Sequence, residues 1–142
     1  MTVPQRLTMV TLGVADVARS TSFYESLGWR RSSSEESITF FSMQGSVLAL
    51  FGREALADDV GVSAAGSGFR GVTVALNCDS RDEVDAVFEA WVAAGADPVK
   101  RPEPVFWGGY SSYVADPDGH LWEIAHNPFS PNDADGRMEL SD

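Results

Sequence analysis

The sequence predicts an α+β protein built from two βαβββ modules in tandem, and three observations predict it. A strand followed by a capped helix occurs twice, at residues 9–28 and 73–95. Each helix is followed by a long apolar run, at 38–51 and 110–126, that reads as two strands joined by a turn ending in glycine. The chain has 142 residues, 44% of them hydrophobic, enough for one domain with its own core.

Taken in order, MVTLGV at 9–14 alternates so that Val10, Leu12 and Val14 point one way and Met9, Thr11 and Gly13 the other. Asp16 is placed to cap a helix through Val17, Phe23, Tyr24 and Leu27, which Gly28 stops. ITFFSMQGSVLALF turns at Gly45. Residues 53–69, rich in Ala, Gly, Ser and Asp, read as a linker. TVALNC at 73–78 repeats the alternation, with Val74, Leu76 and Cys78 on one face and Thr73, Ala75 and Asn77 on the other. Ser80 and Glu83 form a capping box, and Val84, Val87, Phe88, Trp91 and Val92 make the apolar stripe of a helix ended by Gly95. YSSYVADPDGHLWEIAH turns at DPDG, where proline and glycine stand as a type I turn requires. Aligning Gly45 with Gly119 makes Ala49 the counterpart of Glu123. The expected modules are about 6–52 and 70–128, with a tail at 129–142. Helices covering one face of each sheet leave the other faces to curve around a cavity, where function is expected.

Ten basic against 21 acidic residues give a net charge of −11, which repels nucleic acid and anionic membranes as partners. The acids are scattered, so solubility explains them before attraction of cationic ligands does. The longest charge-free stretch, 37–52, is 16 residues long and interrupted by Ser, Gln and Gly, short of the roughly 20 apolar residues of a membrane span. LTMVTLGVA after Arg6 reads as a first strand and not a signal peptide. The single Cys78 excludes an internal disulfide and fits a reducing, cytoplasmic setting. Its alternation with Val74 and Leu76 makes it a small buried residue and not a nucleophile. Gly66, Gly68 and Gly71 lack the preceding strand and following helix of a nucleotide-binding loop.

Glu123 is the residue that demands an explanation. It is the only charged residue on the apolar strand formed by Leu121, Trp122, Ile124 and Ala125, and a carboxylate there needs a cation, a donor, a proton or a ligand. Trp122 and Ile124, on the alternate face, belong to the helix-side core.

The segments VTLGVADVARSTSFYESLGW and YSSYVADPDGHLWEIAHNP resemble the vicinal oxygen chelate superfamily, the glyoxalase, bleomycin-resistance and extradiol-dioxygenase group, over about residues 6–128. The resemblance implies that fold, and activities ranging from isomerases, lyases and dioxygenases to metal-free drug-binding proteins. For the metal-using members it implies a site with one ligand from the first and last strand of each module, at positions that here hold Met9, Ala49, Thr73 and Glu123. Only Glu123 has suitable ligand chemistry, so no metal and no other cofactor is expected. A relocated site is poorly served. His120 follows the turn, His126 falls on the face opposite Glu123, and Asp116 and Asp118 are better read as turn residues.

Three roles for Glu123 stay open: a structural remnant, a recognition group for a cationic or donor ligand, and a general base working without metal. PEPVFWGGY adds Phe106, Trp107 and Tyr110 beside two glycines, where a loop over the cavity mouth would stack its rings on a planar ligand. The ligand set is thus Glu123, Trp107, Phe106, Tyr110, Met9, Ala49 and Thr73, with Glu123 the single candidate catalytic residue. The expected protein is a homodimer, as the resemblance implies, that binds a small organic molecule, aromatic or cationic, without metal. The alternatives are a glyoxalase-like lyase or isomerase or a dioxygenase, with relocated ligands or using Glu123 alone, and a non-catalytic partner subunit.

Overall fold

The computed structural model describes residues 2–35 and 37–140, so the last two residues of the expected tail lie outside the described residues. Eight strands and three helices follow one another as β1 (Met9–Val14), α1 (Val17–Glu25), β2 (Arg31–Glu35), β3 (Ile38–Ser42), β4 (Val47–Gly52), α2 (Arg53–Val60), β5 (Val74–Asn77), α3 (Arg81–Ala93), β6 (Asp97–Pro104), β7 (Tyr110–Ala115) and β8 (Leu121–His126). They form two compact units, Met1–Gly66 and Ser67–Asp142. Each unit holds one four-stranded mixed sheet, in the order β1-β4-β3-β2 or β5-β8-β7-β6, with its first strand parallel to its last and the remaining pairs antiparallel. The chain is α+β and repeats its topology as the sequence predicts.

In the first unit the Asp16 carboxylate accepts the Arg19 amide at 3.1 Å and starts α1. Phe23 and Tyr24 of α1 are buried, as are Leu12, Val14, Phe41, Leu48 and Leu50 on one face of the sheet, and the Thr21 hydroxyl donates to that of Thr39 at 2.9 Å. The opposite face carries the register partners Thr11, Ala49 and Phe40, with Met9 and Phe51 beside them.

The first half of the expected linker is the helix α2. Gly13 permits its packing: a Cβ at this position would stand 3.3 Å from the Arg53 Cα, so β1 and α2 approach backbone to backbone. Gly61, at φ 87°, ends α2 in the left-handed conformation. The Arg53 guanidinium donates to the Ala64 carbonyl at 2.7 and 3.1 Å and ties down the segment that follows.

In the second unit Ser80 accepts the Glu83 amide at 3.1 Å, while the Glu83 carboxylate reaches back to the Asp79 amide at 2.9 Å. Val84, Phe88 and Trp91 of α3 are buried against the sheet, with the Trp91 and Trp122 rings 5.1 Å apart and Ile124 fully enclosed. Two strands carried no periodic signal. RSSSE, now β2, has no apolar alternation, and DPVKRPEP, now β6, holds three prolines. Both are edge strands, where one side of the backbone needs no ladder partner and proline is tolerated. Among the described residues no helix is long and apolar enough to cross a membrane.

The DPDG turn fixes the hairpin that carries Glu123. The Gly119 amide donates to the Asp116 carbonyl at 2.9 Å, and Gly119 sits at φ 83°. One oxygen of the buried Asp116 carboxylate accepts the amides of Asp118 and His120, each at 2.9 Å. Asp116→Ala removes the acceptor that both amides share and should lower unfolding free energy by about 1–3 kcal/mol, read as a lower urea midpoint at unchanged slope.

Candidate functional site

The site is built on the face of the second sheet that turns away from α3. Alternation along β8 sends Trp122 and Ile124 into the α3 core, so Glu123 projects from the other side. The register then sets a row across four strands: Ala75 opposite Glu123, Glu123 opposite Tyr113, and Tyr113 opposite Lys100. Register partners share a face, so this row is Ala75, Glu123, Tyr113 and Lys100.

A neutral donor holds the half-buried carboxylate, and a phenol lies beside it. The Ser111 hydroxyl, itself buried, donates to Glu123 Oε2 at 2.7 Å, and Tyr113 is the cross-strand neighbour of Glu123 on the same face. Burial first, then the neighbouring Glu123 carboxylate, push the Tyr113 phenol above its ordinary range, with the Lys100 charge acting against them. Tyr113 therefore stays protonated at neutral pH. Among the described residues Glu123 has no ion-pair partner, and the Lys100 ammonium lies on Glu103 at 3.0 Å. Glu123 is thus met by the Ser111 hydroxyl, which hydrogen-bonds the carboxylate without cancelling its charge.

Neither Ser111 nor Tyr113 was singled out from the sequence, yet a signal for both existed. Once DPDG is read as a tight turn with Asp116 facing His120, counting outwards along the hairpin sets Tyr113 opposite Glu123 and Ser111 opposite Ala125. The first unit offers an internal comparison. Ala49 stands where Glu123 does, Phe40 where Tyr113 does, and Ile38 where Ser111 does. The ring is common to both units, whereas carboxylate and hydroxyls belong to the second.

The other expected site residues are dispersed. Thr73 is exposed just before β5, on the Ala75 side by alternation. Met9, 45% exposed, and the buried Ala49 lie on the first sheet's face opposite α1. Tyr110 is a correction: it stands on the α3 face, opposite Glu123, because its hydroxyl donates to Asp85 at 2.8 Å and the Arg81 guanidinium lies 5.1 Å from its ring. Phe106 is fully exposed in the β6–β7 loop, and the Trp107 ring packs over Gly109 of the same loop, leaving no room there for a Cβ. Phe129 covers Gly108 in the same way. His126 approaches the Cys78 carbonyl at 3.1 Å on the α3 side.

The metal that the family resemblance implies does not fit these residues. Its four positions hold a thioether, a methyl, a hydroxyl and one carboxylate that already accepts a hydrogen bond from the Ser111 hydroxyl. Among the described residues no group of three His, Cys, Asp or Glu side chains lies together.

The chain belongs to the Glyoxalase/Bleomycin resistance protein/Dioxygenase superfamily, whose family model matches residues 6–124. A crystal structure of a glyoxalase-related enzyme from Fulvimarina pelagi is 38% identical, with 98% of this chain and 100% of that one covered at a TM-score of 0.87. A glyoxalase/bleomycin resistance protein/dioxygenase from Nocardioides is 27% identical over 89% of this chain and 85% of that one, at a TM-score of 0.74. Lactoylglutathione lyase from Agrobacterium tumefaciens, 21% identical over 89% and 97% at a TM-score of 0.67, shares the fold. No curated protein matches the chain.

Burial, with lesser help from Glu83 and Asp79, pushes the Cys78 thiol from 9.0 up to about 12. A raised folded value means the native state keeps a proton that the unfolded chain releases. This contribution to stability is therefore complete below pH 9 and lost as pH rises towards 12. Cys78→Ala should flatten that alkaline decline in urea titrations, and the native thiol should resist iodoacetamide at pH 8.

Proposed function

We propose that the protein binds a small, partly aromatic organic cation without a metal, as a sequestering protein of the bleomycin-resistance kind. The carrying observation is the Glu123 carboxylate, which Ser111 serves with a hydrogen bond and Tyr113 flanks with its ring, while neither supplies a countercharge. A carboxylate offers about four lone-pair directions, so directions remain for a ligand's N–H groups after Ser111 is served. The Tyr113 ring beside it supplies an aromatic surface on which a cation is also favoured. The net charge of −11 attracts cations from a distance, and its effect falls with salt. A cytoplasmic homodimer is the setting we propose, and light scattering on a sizing column tests the dimer.

A second reading is metal-free proton transfer, in which Glu123 is the base and the protonated Tyr113 the acid beside it. Turnover of a carbonyl substrate that persists in chelator would favour it over sequestration.

Proflavine, a planar aromatic cation, should raise the melting temperature of the protein and bind with measurable fluorescence change. Glu123→Gln keeps the shape and the Ser111 contact but removes the charge, and should weaken proflavine by about tenfold or more with little change in melting temperature. Equal affinity in the variant would make Glu123 a structural remnant. Elemental analysis of protein purified without chelator should find less than stoichiometric zinc, nickel, iron or manganese, and a stoichiometric ion would remove the metal-free reading.

A further inference from the structure

Lys100 is the cation in the row that holds Glu123, and it does not neutralise Glu123. Its stem is long and flexible, and only Tyr113 separates the two positions across the sheet, roughly 10 Å between the outer of three adjacent strands. An unrestrained ammonium there would lean over the Tyr113 ring towards the carboxylate. Instead it lies 3.0 Å from Glu103 Oε1.

That pairing depends on a local irregularity. In a regular strand residues three apart project to opposite faces, so Lys100 and Glu103 would not meet. The β6 register shifts between Lys100 and Glu103, and again between Pro98 and Lys100, as bulges do. The shift leaves Lys100 opposite Tyr113 and Glu103 opposite Ser111, both on the Glu123 face, while the intervening Arg101 turns to the other side and lies 5.6 Å from the Phe88 ring. Two further prolines in this edge strand, Pro102 and Pro104, restrict the backbone that carries the bulge.

We infer that Glu103 is a positioning residue for the Glu123 site: by holding Lys100 through the β6 bulge it keeps that ammonium off the carboxylate and leaves the site open to an organic cation. The inference rests on the reading of Glu123 as a cation site. Glu103 and Lys100 are both about half exposed, so the pair adds little to stability; its consequence is where the ammonium spends its time. Releasing Lys100 turns it into an internal competitor for the ligand.

The test is a double-mutant cycle read by proflavine binding at constant, low salt. Glu103→Gln should weaken proflavine about fivefold. Lys100→Met in the otherwise unaltered chain should change affinity by less than about twofold, and in the Glu103→Gln background it should restore binding to within about twofold of the starting protein. Such rescue is what simple through-space loss of one negative charge does not give, since the two charge effects would then add. Additive effects, or an unchanged affinity in Glu103→Gln, would overturn the role of Glu103 while Glu123→Gln still weakens binding. If Glu123→Gln binds as well as the starting protein, or proflavine does not bind at all, the cation-site reading itself falls and Glu103 with it.

Discussion

The pairing of β7 with β8 is the constraint on which the site depends. A carboxylate on a strand packed against a helical core loses hydration, and that loss must be offset by a donor fixed in place. The antiparallel ladder supplies it, because the register that closes the DPDG turn also sets Tyr113 beside Glu123 and Ser111 one step along the same face. Asp116 matters to the site for this reason, although it lies at the far end of the strand: it fixes the turn that fixes the register. Slipping the ladder by one residue would exchange Glu123 for Trp122 or Ile124 and bury the charge under α3.

The repeat shows what is scaffold and what is chemistry. Both units share strand order, strand directions and a helix on one face. At matching ladder positions the first unit has Ala49, Phe40 and Ile38, a set that needs no donors because it presents no charge. The second has Glu123, Tyr113 and Ser111. The aromatic ring fills the same place in each row, so the hydroxyl of Tyr113 goes with the carboxylate and not with the fold. The metal-ligand positions follow the same division, with Glu123 alone retaining a donor of the type that the family's metal-using members employ.

The fold was legible where burial imposes a period. The stripe of α3, the alternation of β1 and β5, both capping residues and the faces of Trp122, Ile124 and Cys78 follow from spacing alone, because each has one side against a core. The edge strands β2 and β6 were not legible, since their polar and proline-rich sequences satisfy neither period. The same holds for α2, whose eight residues bury no side chain fully and whose contact with β1 rests on a glycine. Of the site, Glu123 stood out by its charge, while Ser111 and Tyr113 were hidden because hydroxyls on a strand are ordinary until the register places them beside a carboxylate. Tyr110 misled for the opposite reason: an aromatic next to two glycines looks mobile, yet one hydrogen bond to Asp85 commits it to the helix side.

The most direct measurement is electron density at the Glu123 carboxylate in crystals of untreated protein soaked with proflavine. The account predicts a planar ligand with a nitrogen at hydrogen-bond distance from the carboxylate, beside Tyr113, with Ser111 still donating and Lys100 still on Glu103. An ion bonded to Glu123 at about 2.0–2.2 Å with two further protein donors would contradict it.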